Sequence, residues 1–121
     1  SLPYPKQTIE TTIALQQPSG LYKDHPFCID LDGNFCVIRP FLLLPEGVRL
    51  SIQESVEKSI YRNFDAVINA LTARPMQETY SDLHGLPGAL ASLIEAKKLP
   101  NFAHNDYLLD WQHPLDKVCW L

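Results

Sequence analysis

Apolar residues recur every three or four positions between Ser51 and Ala73, which is the spacing of one face of an α-helix. The members of this stripe are Ile52, Val56, Ile60, Phe64, Val67 and Leu71. Ser51 and Glu54 have the spacing of a capping box at the start of such a helix, and Pro75 disfavours helical geometry in the residue before it. The pattern predicts a long central helix, with the Phe64 side chain buried in the core.

Two shorter stretches also have helical spacing. The first, from Lys6 to Gln17, places Ile9 and Ile13 in line, although its three threonines favour a strand. The second runs from Pro87 to Lys98 and ends in two lysines, which suit the negative end of a helix dipole. We therefore predict one helix before the central helix and a second, shorter helix after it.

The stretch from Phe27 to Ile38 has a different pattern, in which apolar residues alternate around Asp32-Gly33. Such alternation on either side of turn-forming residues is typical of a β-hairpin. The consecutive apolar residues from Phe41 to Leu44 predict a third strand that is buried on both faces. Short aromatic segments at 107–111 and 117–121 are candidates for further strands.

The register of this hairpin determines where two of the three cysteines lie. A turn that pairs Asp30 with Asn34 gives one wholly apolar face and places Cys28 opposite Cys36. A tighter two-residue turn would place the two thiols on opposite faces, and it separates polar from apolar side chains less cleanly. We therefore expect Cys28 and Cys36 to be cross-strand neighbours. An odd cysteine count without a C-x-x-C pair indicates reduced thiols.

Together these elements predict an α+β fold, in which a small antiparallel sheet of three to five strands packs against the long central helix and the second, shorter helix. A chain of 121 residues is long enough for a single domain spanning 1–121, with one hydrophobic core. Its longest apolar run is far too short to cross a bilayer, and no secretion signal opens the sequence. The sequence thus predicts a cytoplasmic protein with no membrane partner.

The formal net charge of −4 limits the classes of partner. Nucleic-acid binding requires a basic face for phosphate contacts, so it is not expected. An excess of acidic over basic residues instead favours a basic protein partner, since charge complementarity speeds association.

One group of side chains has a composition that could hold a metal, namely His104, Asp106 and His113. Three such ligands are common in catalytic zinc sites. A single H-x-D without a second spaced pair is nevertheless a weak metal signal. No other motif has the spacing of a catalytic set. We therefore predict no catalytic residue, metal ligand or cofactor.

The C-terminal tail combines acidic and aromatic residues of the kinds that are enriched where proteins meet. In one helical turn, Asp106 and Asp110 would lie beside Tyr107 and Trp111. We nominate these four residues as a partner-binding patch. The alternative for the two tryptophans of the tail is that they close the hydrophobic core.

A protein-binding or inhibitor domain is the function that these features favour. The simplest form is an immunity-type protein that binds and neutralises a partner toxin or enzyme, such as a basic nuclease. An acidic secretion chaperone, expected to be a dimer, is one alternative. The other is a metal-assisted hydrolase that uses His104, Asp106 and His113.

Overall fold

The computed structural model describes residues 4–73 and 85–102, and within them all regular secondary structure is helical. The four helices are α1 (Pro5–Leu15), α2 (Cys28–Leu43), α3 (Glu46–Ala73) and α4 (Gly85–Ala96). Helix α2 packs most extensively against α4 and α1, while α3 packs against α4 and α2. The predicted α+β fold is therefore wrong, because the described residues form helices where a sheet was expected.

The predicted central helix corresponds to α3, and its apolar stripe is the centre of the core. The side chains of Ile52, Val56, Ile60, Phe64 and Val67 are all buried, and Phe64 is only 3% exposed. The helix begins at Glu46, earlier than the predicted start. Ser51 is consequently not a cap: it lies inside the helix, and its hydroxyl donates to the Val48 carbonyl at 2.6 Å.

The two shorter predicted helices are also present, each displaced by one or two residues at its ends. Helix α1 buries Ile9 completely and half-buries Ile13. Helix α4 buries Leu93 and Ile94. In α4, Gly88 is needed for packing, because a Cβ atom there would overlap the backbone of Cys28 at the start of α2. The glycine thus allows these two helices to approach closely.

The predicted hairpin and third strand are instead the single helix α2. Its buried face does have the spacing of a helix, but the residues at those positions are partly polar or small: Asp30, Gly33, Asn34, Val37, Ile38, Pro40 and Phe41. Asp, Gly and Asn are common in turns, so local chemistry favoured a turn at this point. In the folded protein these residues are used for tertiary contacts instead.

Two of those contacts show why the turn does not form. A Cβ atom at Gly33 would overlap the Tyr22 ring, so the absence of a side chain makes room for this aromatic residue. The Asp30 carboxylate accepts a hydrogen bond from the Phe27 backbone N–H at 3.0 Å, which satisfies a donor at the N-terminus of α2. Both residues therefore favour the helix once the rest of the chain is folded.

The predicted cross-strand position of Cys28 and Cys36 is consequently wrong. The two residues are eight positions apart on one helix, which separates their Cα atoms by about 12 Å along its axis. A disulfide requires Cα atoms within about 7 Å of each other. Both cysteines are free thiols in the structure.

The candidate strands at 107–111 and 117–121 lie outside the described residues. Within 4–73 and 85–102, no helix is long and apolar enough to cross a membrane.

Candidate functional site

A cluster of buried polar side chains joins three helices and the segment between α1 and α2. At its centre Asn63 of α3 donates to the Asp30 carboxylate at 2.9 Å and to the Gly20 carbonyl at 3.0 Å. Asn34 donates to the Asn63 side-chain oxygen at 3.0 Å and to the Ser92 carbonyl of α4 at 3.1 Å. Asp30, Asn34 and Asn63 are at most 1% exposed. Because these groups satisfy one another away from solvent, the cluster holds the fold together and is closed to ligands.

Burial changes the acidity of two groups at this cluster. Loss of hydration raises the pKa of Asp30, although hydrogen bonds from Phe27, Asn63 and Tyr22 act in the opposite direction. Burial likewise raises the pKa of Tyr22 to about 12. No described residue makes a hydrogen bond of good geometry with the buried Tyr22 hydroxyl. The nearby Ser59 hydroxyl partly offsets the rise in the Tyr22 pKa, but it donates its hydrogen bond to the Gln16 side chain at 2.8 Å.

An ion pair connects α2 to α4 at the edge of the core. Arg39 donates to both carboxylate oxygens of Glu95, at 2.6 and 3.1 Å. The Glu95 side chain is only 1% exposed, whereas that of Arg39 is 39% exposed. The Arg39 guanidinium also lies 4.9 Å from the centre of the Phe35 ring. Arg39 therefore neutralises a buried carboxylate from a position at the surface.

Beside this ion pair lies an open apolar groove of about 290 Å³ between α1 and α2. Its lining residues, which define the α1–α2 groove, are Thr8, Phe35, Cys36, Arg39, Pro40 and Leu43. Phe35 is 47% exposed and Leu43 is 68% exposed, and the two residues lie about 12 Å apart along the axis of α2. The lining of this groove is more apolar than that of a second depression described below.

The Cys36 thiol lines the same groove, but it is not an activated nucleophile. Desolvation and the nearby Asp32 carboxylate both raise its pKa, so the thiolate that a nucleophile requires is disfavoured. Among the described residues, no three His, Cys, Asp or Glu side chains are grouped so that they could hold a metal ion. The chemistry of the groove is therefore that of apolar contact.

A second depression, of about 160 Å³, lies along α3 and is called the α3 pocket here. Four polar side chains of α3 line it: Glu46, Arg49, Gln53 and Glu57. Their spacing of three or four residues places them on one side of the helix. Gln53 donates to Glu57 at 2.9 Å.

The other walls of the α3 pocket are apolar. Leu50 of α3 is 65% exposed at its rim, and Phe41 is buried beneath it. The segment after α4 completes the pocket through Leu99, Pro100 and Asn101. The α3 pocket thus combines charged groups of both signs with an apolar surface.

The partner-binding patch nominated from the sequence, comprising Asp106, Tyr107, Asp110 and Trp111, lies outside the described residues. The same is true of His104 and His113, which with Asp106 formed the possible metal group. Eight of the ten basic residues but only nine of the fourteen acidic ones lie within 4–73 and 85–102. The described residues as a whole are therefore close to neutral, and most of the negative charge belongs to the remaining residues.

Sequence reasoning missed both depressions. The α1–α2 groove was missed because Phe35 and Leu43 were assigned to strands, where Leu43 was expected to be buried. For the α3 pocket a signal was available, since charged and amide residues recur at helical spacing from Glu46 to Glu57. That spacing is shared by most solvent-exposed helix faces, so it does not by itself indicate a pocket.

Comparison of this chain with protein-family models, with curated proteins and with solved structures gave no match.

Proposed function

We propose that this chain is a protein-binding domain whose α1–α2 groove receives an apolar side chain of a partner protein. The observation that supports the proposal is the exposure of Phe35 and Leu43, two apolar residues of α2 that line an open apolar groove. Exposing such residues to water is unfavourable by about 25 cal/mol for each Å² of apolar surface. A partner that covers them would recover this free energy.

The size of the groove favours a protein side chain over a small molecule. Drug-sized ligands occupy pockets of about 300–1,000 Å³ that enclose most of their surface, whereas this groove has about 290 Å³ and is open to solvent. One or two aliphatic or aromatic side chains would fill it. Aromatic and Arg residues, which are enriched at protein interfaces, are both present here as Phe35 and Arg39.

The charges around the groove indicate an uncharged anchor. Its one cationic residue, Arg39, is already paired with the buried Glu95 carboxylate. A charged group in the groove would lose hydration without gaining a new ion pair, and this is costly. We expect binding at this site to depend only weakly on salt.

The narrower role of an immunity-type inhibitor of a basic toxin or enzyme stays a prediction. Its electrostatic part depends on Asp106 and Asp110, which lie outside the described residues. The groove contributes the apolar part of such an interface. A partner that used both surfaces would show salt-dependent association through the acidic residues and slow dissociation through the groove.

The proposal can be tested by selecting ligands from a displayed library of random short peptides against the whole chain. Selected peptides should share an aliphatic or aromatic anchor, and titration calorimetry should show that Leu43→Glu abolishes their binding. Leu50→Glu is the matched control, because Leu50 is exposed to a similar extent but lies outside the groove.

Equal loss of binding in the two variants would indicate nonspecific apolar adhesion and would contradict the proposal. Full binding by Leu43→Glu would also contradict it. Light scattering of the free protein tests a different occupant, a second copy of the chain. A dimer that Leu43→Glu converts to a monomer would mean that the groove is a self-association surface.

A further inference from the structure

The α3 pocket contains an arginine and a glutamate, Arg49 and Glu57, that make no ion pair with any described residue. Arg49 is half-buried and makes no ion pair or side-chain hydrogen bond with the described residues. Glu57 accepts one hydrogen bond, from Gln53, and makes no ion pair there. Both side chains line the same cavity, and among the described residues neither has an ion-pair partner that a ligand would have to displace.

The arrangement of these groups follows from their positions on α3. Arg49, Gln53 and Glu57 are each four residues apart, so they succeed one another along one side of the helix at intervals of about 6 Å. The hydrogen bond from Gln53 to Glu57 leaves the Gln53 carbonyl oxygen and the second Glu57 oxygen as acceptors. These three side chains therefore present guanidinium donors at one end of the pocket and oxygen acceptors at the other.

We infer that the α3 pocket binds a free α-amino acid with an apolar side chain. The ligand carboxylate would accept hydrogen bonds from the Arg49 guanidinium, whose planar donors match a carboxylate. The ligand ammonium would donate to the oxygens of Gln53 and Glu57. Its side chain would lie against Leu50 and the apolar wall formed by Leu99 and Pro100. This inference does not depend on the proposed function of the α1–α2 groove.

The charge and the size of the pocket both favour a zwitterion. Two carboxylates, Glu46 and Glu57, face the pocket with one guanidinium, so a ligand that carried only negative charge would be repelled. A zwitterion supplies the ammonium that balances Glu57. The volume of about 160 Å³ corresponds to roughly five water molecules at ~30 Å³ each, which is enough for one small residue and too little for a peptide.

The test is titration calorimetry of the whole chain with L-leucine, N-acetyl-L-leucine and L-leucine amide. L-leucine should bind. The acetylated form lacks the ammonium and the amide lacks the carboxylate, so each of these two ligands should bind at least about tenfold more weakly than L-leucine. Arg49→Gln should weaken L-leucine binding by about 10- to 150-fold, the range expected for hydrogen bonds to a charged group.

Lys58→Gln is the matched control, since Lys58 is an exposed cation of the same helix that does not line the pocket. It removes the same charge and should leave L-leucine binding unchanged. Thermal unfolding should show that both variants remain folded, because neither side chain makes a hydrogen bond or ion pair within the described residues.

Three results would overturn the inference. The first is the absence of any heat change with L-leucine at millimolar concentration. The second is equal binding of L-leucine and its acetylated form, which would indicate a site for a peptide C-terminus. The third is equal weakening by Arg49→Gln and Lys58→Gln, which would indicate only a general effect of charge.

Discussion

Replacing Asp30 by alanine tests whether the buried polar cluster stabilises the helical fold. The Asp30 carboxylate accepts hydrogen bonds from Tyr22 N–H at 3.3 Å, Phe27 N–H at 3.0 Å and the Asn63 side chain at 2.9 Å. Alanine would leave all three donors without this acceptor. Phe27 is half-buried, so water can replace the carboxylate there, but Tyr22 and Asn63 are buried.

The expected loss of stability follows from these two buried donors. A buried donor without a partner costs about 1–3 kcal/mol, so two give a loss of about 2–6 kcal/mol. The raised pKa of Asp30 shows that its burial is itself unfavourable to the charged form, which places the loss in the lower half of that range. A loss of about 3 kcal/mol would lower the melting temperature of a domain this size by about 10–20 °C.

Urea unfolding followed by circular dichroism measures this loss of free energy directly. Asp32→Ala is the control, because Asp32 is an exposed carboxylate on the same helix and its removal should change stability by less than about 0.5 kcal/mol. If Asp30→Ala were as stable as Asp32→Ala, the cluster would not hold the helices together and our explanation of α2 would be refuted.

Because the pKa of Asp30 is raised, the contribution of Asp30 to the free energy of unfolding should depend on pH. Because burial raises the pKa of Asp30 in the folded state, the folded protein holds this proton more tightly than the unfolded chain does. The contribution of Asp30 to stability therefore increases as the pH falls through its folded pKa towards the ordinary value of 3.8. As the pH falls over that interval, the parent should gain stability relative to Asp30→Asn. A loss of stability relative to Asp30→Asn would contradict the direction of the shift.

The other predictions concern three sites in the core and at its edge. Phe64→Ala should cost about 3–5 kcal/mol in urea unfolding, since it empties a buried aromatic site; a cost below about 1 kcal/mol would contradict its burial. Tyr22→Phe should be neutral or stabilising at pH 7, because the buried hydroxyl makes no hydrogen bond with a described residue. Above pH 10 the parent should lose up to about 2–3 kcal/mol that Tyr22→Phe retains, since the unfolded chain ionises at pH 10 and the folded protein only near 12. Arg39→Ala should cost up to about 3–5 kcal/mol by removing the two hydrogen bonds that the buried Glu95 carboxylate accepts from Arg39, and a smaller loss from the double variant Arg39→Ala/Glu95→Gln would confirm that cause.

Three of the four helices within 4–73 and 85–102 were predictable from the sequence because each has apolar residues at helical spacing, although α3 and α4 also bury polar residues such as Asn63 and Glu95. The stripe from Ile52 to Val67 needs no knowledge of its neighbours to be recognised as one face of a helix. Helix α2 was not predictable in this way. Asp30 and Asn34 take core positions because Asn63 of α3 pairs with both of them, and a residue about 30 positions away cannot be identified from local spacing.

At the candidate sites, too, the features that depend on distant residues could not be predicted from the sequence. Leu43 was correctly recognised as apolar, but its exposure depends on how α1 and α2 pack, and this was unknown while the segment was assigned to a strand. The availability of Arg49 depends in turn on its making no ion pair with a described carboxylate, even though Glu46 and Glu57 line the same pocket, and only the structure shows this. The residue types at both sites can be read from the sequence, but the exposure of Leu43 and the lack of an ion pair at Arg49 cannot be predicted from it.

The most direct test of binding in the α1–α2 groove uses its own thiol. Cys36 lines the groove, whereas Cys28 is a half-buried free thiol of the same helix that does not. Alkylation by a maleimide, followed by mass spectrometry of both sites, should be slowed at Cys36 when a selected peptide is bound and should be unchanged at Cys28. Equal alkylation of Cys36 with and without saturating peptide would contradict the central claim that the groove is the protein-binding surface.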